Sequence, residues 1–580
     1  MKKILKYIFI LAAIAGLSSC LDDENNYDYK ELNDLDGEIT GMKKEYSLSY
    51  AEELTITPSF KFTIDKENPD VSYEWRLDGN LLVDEVKSSC SFRFERGGVH
   101  EVTYSVVDNK SGVKFSKSCT INVRSPFTRG WLVLSEGSGQ ESVLSFVGAR
   151  TIIYEMPVTS PDGTKTGVVD RDSLVYDQIV KNVLPGLGRN PKGLFLNAGY
   201  VSEYGEVYEI SDEVGVKQER WAELNGNTLE RSVYTDQEFQ GDFPTAGFQP
   251  QDIAMTYSSK AVLNADGYIY WAVNTFANDY HTCTYVSIPL GKDRKFKGVY
   301  PSYRMNRYHC AIPALTQENE IVGLMDSALP YSFENPLLRE STINSQIFSV
   351  KKERYVSEDE DPNYKLGDWE LISMIPASHV DPKEYLTYQD ARPGWVTVLH
   401  KEGQYELFYF QWNISDSSRR PGVYNDYSSR LSLNGLSGYT DMAVFNNKQY
   451  VVIAEGANLW YFQYGMNEQA VLKKLHTFNS PIKALSANDI THRHSEFGNP
   501  AVGWQPEHNG QLGVALEDGT FSIYEVWETK EKGQKLSTEV SINQLFPDPK
   551  ATEPVDNKFG KMVDMIYKYG SIREFGDFTH

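Results

Sequence analysis

Residues 261–273 read AVLNADGYIYWAV, and residues 512–526 read LGVALEDGTFSIYEV. Each stretch is an apolar strand, a turn that contains glycine and a second strand rich in aromatic residues, which is the pattern of a β-hairpin. Further copies of this unit begin at Trp131, Val396 and Tyr450, and shorter ones are VYEI at Val207 and EIVGLMD at Glu320. The chain beyond residue 125 is therefore predicted to be a repeat of one hairpin unit.

The glycine turns of these units recur about every 53 to 68 residues, with one gap of about two units. An isolated hairpin is only marginally stable, but hairpins repeated around an axis bury the faces of neighbouring sheets against each other. The pattern therefore predicts an all-β protein whose residues 126–580 form a β-propeller of seven blades. The stretch from Met562 to Tyr567 is predicted to supply the strand that closes the ring. Two packed β-sandwiches are the alternative.

Composition limits the function classes. The chain has 580 residues and a formal net charge of −23, and 13% of its residues are aromatic. A surface this acidic repels the phosphate backbone, so we expect no nucleic-acid partner. The high aromatic content favours strands over helical bundles.

The region 37–125 has its own pattern of short alternating strands. It includes YEWRLDG at 73–79, in which a strand runs into an Asp-Gly turn, and GVHEVTYSVVD at 98–108. About 90 residues with this strand spacing predict an immunoglobulin-like β-sandwich. Trp75 is expected to pack in its core rather than to stack on a ligand.

These two stretches resemble the PKD-like domain of Bacteroidetes surface lipoproteins. The chain keeps Trp75, Asp78 and Gly79 but lacks the full aromatic-Asp-Phe-Gly-Asp-Gly run of standard PKD domains. The resemblance therefore implies the PKD-like form of the sandwich.

The N-terminal segment 1–19 is typical of an export signal. Lys2, Lys3 and Lys6 precede an apolar stretch that ends at Leu17 and is too short to span a bilayer. Leu17-Ser18-Ser19-Cys20 resembles the lipobox of bacterial lipoproteins, which implies cleavage before Cys20 and acylation of its thiol. A plain signal peptide followed by an unmodified cysteine is the alternative.

The acidic residues that follow Cys20 have two interpretations. Asp22, Asp23 and Glu24 resemble the signal that directs Bacteroidetes lipoproteins to the outside of the outer membrane. The alternative is a solvated acidic tether, and the polar composition of residues 20–36 predicts a flexible spacer in both cases. We therefore expect a lipid-anchored protein exposed at the cell surface.

Four cysteines remain besides Cys20. In an oxidising compartment the simplest pairing joins neighbours in sequence, which predicts disulfides between Cys90 and Cys119 and between Cys283 and Cys310. Free thiols at these positions are the alternative. No CxxC motif occurs, so a cysteine-based metal site is not expected.

Catalytic signatures are missing from the sequence. It contains no HExxH, GxSxG, P-loop or GxGxxG motif, so we predict no enzymatic activity, no cofactor and no metal site. Three weaker candidates were weighed: histidines 492 and 494 with His508 and Glu496 as metal ligands, the run 358–361 (EDED) as a calcium loop, and Tyr405, Tyr409 and Trp412 as ligand-stacking rings. The histidines are interpreted as polar residues at the surface, the acidic run as a solvated loop and the aromatic rings as part of the core, and the ligand-binding residues stay open.

The lipobox, the acidic tether, the PKD-like sandwich and the propeller together resemble the PKD-like family of surface lipoproteins. That resemblance implies an accessory subunit of a nutrient importer of the starch-utilisation type, in which a TonB-dependent outer-membrane barrel is closed by a lid lipoprotein. The expected role is non-catalytic capture of cargo, with oligopeptide favoured over glycan. A surface enzyme that processes glycans or peptides and an adhesin are the alternatives.

Overall fold

The chain divides between Arg124 and Ser125 into two units, here called unit 1 and unit 2. The computed structural model describes residues 32–49, 52–84, 86–94, 98–127, 129–159, 166–197, 201–203, 206–208, 213–226, 228–240, 247–255, 259–273, 284–286, 288–291, 293–302, 311–325, 346–352, 359–377, 393–415, 422–445, 450–488, 510–530 and 537–568. Within these ranges the helices are short 3₁₀ turns at Ser138–Gln140, Thr235–Gln237, Pro362–Tyr364 and Tyr464–Gln469. The predicted all-β class is confirmed.

Unit 1 is the predicted β-sandwich. Its strands are β1 (Glu45–Ser49), β2 (Glu53–Ile56), β3 (Val71–Leu77), β4 (Asn80–Leu81), β5 (Cys90–Arg93), β6 (Gly98–Asp108) and β7 (Lys114–Arg124). One sheet has the order β1-β7-β6-β3-β4, with β1 parallel to β7, and β2 pairs with β5 in a second sheet. Side chains from both sheets form one hydrophobic core. The PKD-like sandwich is therefore confirmed.

Trp75 lies at the centre of this core, as its position on an alternating strand predicts. Its side chain is fully buried, and its ring contacts those of Tyr104 at 4.8 Å and Phe92 at 5.7 Å between centroids. Its indole N–H donates to the carbonyl of Lys87 at 2.9 Å. Because the polar atom of the ring is satisfied inside the protein, Trp75 is a structural residue.

The Asp-Gly turn closes the hairpin between β3 and β4. Asp78 and Gly79 have φ angles of 49° and 79°, and two consecutive positive values define the turn that matches the twist of the strands. The Asp78 carboxylate also accepts from the backbone N–H of Glu101 at 2.8 Å and contacts His100 Nδ1 at 2.8 Å. This aspartate therefore fixes the turn to the neighbouring strand.

Unit 2 contains the remaining strands. The first half comprises β8 (Gly130–Glu136), β9 (Ser142–Thr159), β10 (Thr166–Val180), β11 (Gly193–Asn197), β12 (Val201–Glu203), β13 (Glu206–Tyr208), β14 (Glu213–Lys217), β15 (Ala222–Asn225), β16 (Arg231–Tyr234), β17 (Phe239–Gln240), β18 (Pro250–Met255), β19 (Ser259–Asn264), β20 (Ile269–Val273), β21 (Thr284–Val286), β22 (Phe296–Val299), β23 (Ile312–Thr316), β24 (Ile321–Met325) and β25 (Gln346–Ser349). The second half comprises β26 (Glu370–Pro376), β27 (Gly394–Lys401), β28 (Gln404–Ser415), β29 (Gly422–Ser432), β30 (Asp441–Phe445), β31 (Tyr450–Glu455), β32 (Asn458–Phe462), β33 (Lys473–Thr477), β34 (Ile482–Asn488), β35 (Gly510–Leu516), β36 (Phe521–Lys530), β37 (Ser537–Phe546) and β38 (Lys561–Lys568).

Within the described residues these strands form seven sheets of four or five strands. We number them in chain order: sheet 1 (β38-β8-β9-β10), sheet 2 (β11-β14-β15-β16), sheet 3 (β18-β19-β20-β21-β17), sheet 4 (β22 to β25), sheet 5 (β26 to β29), sheet 6 (β30 to β33) and sheet 7 (β34 to β37). The strands β12 and β13 make a separate hairpin. The number of sheets equals the predicted number of blades, and the blade count of the whole chain stays a prediction.

Consecutive sheets pack face to face around a ring. Separate hydrophobic clusters join sheets 2 and 3, 3 and 4, 4 and 5, 5 and 6, 6 and 7, and 7 and 1. A hydrogen bond from the N–H of Leu194 in sheet 2 to Asp564 in sheet 1, at 2.7 Å, links the remaining pair. This closed series of contacts is the β-propeller that the repeat predicts.

The predicted closing strand is also confirmed. Strand β38 pairs with β8, so the end of the chain completes the sheet that the start of unit 2 begins. Met562, Met565 and Tyr567 are buried, and the ring of Tyr567 packs edge-on against Trp131 at 5.0 Å between centroids.

Candidate functional site

Several predicted site residues lie outside the described residues. They are Cys20, Asp22, Asp23, Glu24, Cys283 and Cys310, together with the candidate metal ligands His492, His494, Glu496 and His508. The lipid anchor, the export signal and the Cys283–Cys310 disulfide stay predictions.

The predicted disulfide between Cys90 and Cys119 is wrong. Both residues are buried in the core of unit 1, one on β5 and one on β7, and no disulfide joins them. Burial, the largest effect, raises the pKa of the Cys119 thiol to about 11. Spacing along the chain favoured the bond, but the two residues occupy inward positions where a thiol packs as a small apolar side chain.

We expect both thiols to resist alkylation in the native protein and to react fully in denaturant without a reductant. The reason is that a buried, protonated thiol is neither accessible nor nucleophilic. Mass spectrometry of the alkylated protein measures the number of added groups on Cys90 and Cys119. If these cysteines react only after a reductant is added, they form a disulfide and the assignment made here is contradicted.

The aromatic candidates belong mostly to the propeller core. Trp412 is fully buried and Tyr409 nearly so, which excludes them as exposed stacking surfaces. In the acidic run, Glu360 forms an ion pair with Lys365, and Asp361 accepts from the backbone N–H of Asn363 at 2.9 Å. Among the described residues, no group of three or more His, Cys, Asp or Glu side chains is arranged to hold a metal ion.

The strands that line the axis of the propeller are the first ones named for each sheet. Among them, β38 contacts β11 and β34, β30 contacts β34 and β26, and β18 contacts β22. Two aspartates link these axial strands: Asp564 on β38 accepts from the N–H of Leu194 on β11, and Asp441 on β30 accepts from the N–H of Leu485 on β34, both at 2.7 Å. Each carboxylate also accepts from the N–H of the residue that follows it. These aspartates hold adjacent sheets together.

Charged side chains of both signs surround the two aspartates. Lys217 Nζ lies 2.5 Å from Asp252 Oδ1, and both side chains are partly exposed. Burial raises the pKa of Asp441 to about 7, and the charge of Asp564 adds to this rise, whereas Lys483 opposes it. Burial likewise raises the pKa of Asp564, against the effect of Lys217 and Lys483. We call these five residues the axial cluster.

A second charged group is buried between sheets 2 and 3. Lys260 Nζ on β19 lies 3.2 Å from Glu213 Oε1, 2.5 Å from Glu223 Oε2 and 2.9 Å from Glu238 Oε2. The hydroxyl of Thr235 donates to Glu223 at 2.7 Å. We call Lys260 and its three glutamates the lysine cage.

The sequence carried a signal for the axial cluster that the hairpin pattern did not use. DIAM at 252–255, DMAV at 441–444 and DMIY at 564–567 place an aspartate before an apolar residue in three axial strands. The lysine cage has a weaker signal, because each of its residues is only an isolated charge in or beside a short strand.

The comparisons with known proteins concern the fold. The model of the PKD-like family matches residues 20–168. No curated protein sequence matches the chain at a significant level.

None of the helices in the described ranges has the length and apolar composition needed to span a bilayer.

Solved structures resemble the chain at low identity. A quinonprotein alcohol dehydrogenase-like protein from Bacteroides thetaiotaomicron is similar over 91% of this chain and 95% of its own, at 10% identity and a TM-score of 0.37. PorZ, a surface component of the type-IX secretion system of Porphyromonas gingivalis, is similar over 83% of this chain and 62% of its own, at 9% identity and a TM-score of 0.29.

Proposed function

We propose that this protein is a lipid-anchored accessory subunit at the cell surface, which captures cargo for an outer-membrane importer without catalysis. The observation that carries the proposal is the lipobox-like Leu17–Cys20 directly before the region that matches the PKD-like family, which begins at Cys20. The proposed partners are a TonB-dependent barrel and its lid lipoprotein.

A lipid anchor suits this role for a physical reason. The chain is strongly acidic, so electrostatics do not hold it at an anionic membrane surface. Several acyl chains would hold it stably and confine it to the plane of the importer. Confinement raises the effective concentration of one partner near the other, so a weak docking surface suffices.

The axial cluster is the best candidate for contact with cargo. Lys217 and Asp252 are partly exposed and Lys483 is exposed, so both signs of charge are accessible in the axial cluster. An oligopeptide carries an ammonium, a carboxylate and backbone donors and acceptors, whereas most neutral glycans offer hydroxyls alone. The charge pattern therefore favours oligopeptide cargo.

The proposal predicts that tagged full-length protein, extracted from its own outer membrane in mild detergent, co-purifies with a barrel and a lid lipoprotein. Protein mass spectrometry identifies the partners. A tagged, unrelated surface lipoprotein from the same cells is the control for non-specific recovery. Failure to recover a barrel above that control contradicts the accessory role, and turnover of a peptide or glycan panel by the purified protein contradicts the absence of catalysis.

A further inference from the structure

The lysine cage has more negative than positive charge. Three carboxylates contact one ammonium, and the four side chains are between 0 and 6% exposed. With every group ionised, the site would hold two uncompensated negative charges away from water. Burying an unpaired charge is strongly unfavourable, and the usual response is that a group takes up a proton.

The geometry indicates where that proton is held. Oxygens of Glu213 and Glu223 both contact Lys260 Nζ, so the two carboxylates are close enough for their charges to oppose each other. Burial and the Glu223 charge raise the pKa of Glu213 to about 8, although Lys260 lowers it. Burial also raises the pKa of Glu238.

The titratable groups around the cage come from all the elements packed there. Glu213 is on β14, Glu223 on β15, and Glu238 precedes β17. Tyr285 on β21 places its ring 5.8 Å from Lys260 Nζ. The three carboxylates keep Lys260 charged by raising its pKa well above the usual value, although burial opposes this. The ammonium therefore does not lose its proton before the carboxylates do.

We propose that the lysine cage is a proton-dependent latch that holds sheets 2 and 3 together. The latch is closed when Glu213 and Glu223 share a proton, because one carboxyl then donates to the other inside the cage. When this proton is lost, the buried site holds two uncompensated negative charges, and the contact between the sheets weakens because opening the site exposes these charges to water. The device is independent of the function proposed above.

The sign of the pH dependence follows from linkage. The pKa of Glu213 is about 8 in the folded protein and 4.5 when exposed, so the folded state binds the proton more tightly. The stabilisation is complete below pH 4.5 and is lost as the pH rises through 8. Between these values the equilibrium constant for opening the site rises about tenfold per pH unit.

The test is hydrogen–deuterium exchange of β14, β15 and β19 in the purified mature protein in detergent, corrected for the intrinsic pH dependence of exchange. Glu213→Gln mimics the protonated carboxyl, so the variant should lose the wild-type increase in opening between pH 5 and 8. Glu219→Gln, at an exposed glutamate in the turn between β14 and β15, is the matched control and should retain the increase. Equal pH dependence in wild type and Glu213→Gln overturns the latch.

A second measurement does not depend on whether the variant folds. The infrared spectrum of the wild-type protein at pH 7 should contain the C=O stretch of a buried, protonated carboxylic acid. The band should persist when Asp441 and Asp564, the buried carboxyls of the axial cluster, are replaced with asparagine, and it should disappear as the pH rises above 8. If no such band is present at pH 7 in the native protein, the cage holds no proton and the latch is excluded.

Discussion

Replacing Cys20 with serine, in a chain whose residues 1–19 are exchanged for a signal peptide that is cleaved without lipidation, is expected to release the protein almost completely from the membrane. Each buried methylene of an acyl chain contributes about 0.8 kcal/mol to membrane binding, so losing several chains removes essentially the whole attachment. No other segment is expected to replace it, because the acidic chain is repelled by an anionic surface. Fractionation of cells into membrane and soluble parts, followed by immunoblotting, measures the change.

The matched control separates anchoring from surface display. Replacing Asp22, Asp23 and Glu24 with alanine leaves the lipobox intact, so this variant should stay in the membrane fraction but become protected from protease added to whole cells. The mass of the N-terminal peptide of the wild type should show an acylated Cys20. A Cys20→Ser protein that still sediments with the membrane would contradict the lipoprotein assignment.

The sequence predicted the hairpins whose turn contains glycine. The pairs β19–β20, β31–β32 and β35–β36 lie where AVLNADGYIYWAV, the Tyr450 copy and LGVALEDGTFSIYEV place them. The turn glycines 267, 456 and 519 have positive φ, which explains why the signal is strong at these positions. A turn that needs a positive φ can be recognised in the sequence because it strongly favours one residue, glycine.

The glycine-turn pattern places one hairpin unit wrongly, the second along the chain. The pattern placed it at VYEI from Val207, but Val207 lies on β13 in the separate hairpin, and sheet 2 uses β14 and β15 instead. The turn between those two strands contains Gln218, Glu219 and Arg220 and no glycine, so the pattern missed it.

Some strands do not alternate between apolar and polar residues, and burial on both faces of the sheet explains this. Strands β24 and β35 are buried at every position, because the middle of each sheet is covered by the sheets on both sides. Such strands are apolar runs rather than alternating ones.

The lysine cage is the exception, since its charges lie in these interior positions. Its members are separated by 10 to 47 residues in sequence, and only the packing of sheets 2 and 3 brings them together.

The largest stability effect is expected from truncation of the closing strand. A chain that stops after Gly560 loses β38, and with it Met562, Met565 and Tyr567, each of which contributes about 1.5–3 kcal/mol when buried. The sum is comparable with the total stability of a typical domain, about 5–15 kcal/mol. The truncation also removes the Asp564 carboxylate that joins sheets 1 and 2.

Unit 2 of the truncated chain is therefore expected to lose its cooperative thermal transition and to aggregate, because the edge of β8 is left unpaired. Circular dichroism during heating measures the transition. A chain that stops after Lys568 keeps all of β38 and is the matched control, which should melt like the wild type. If the chain that stops after Gly560 melts with the same midpoint as this control, the ring does not depend on its last strand.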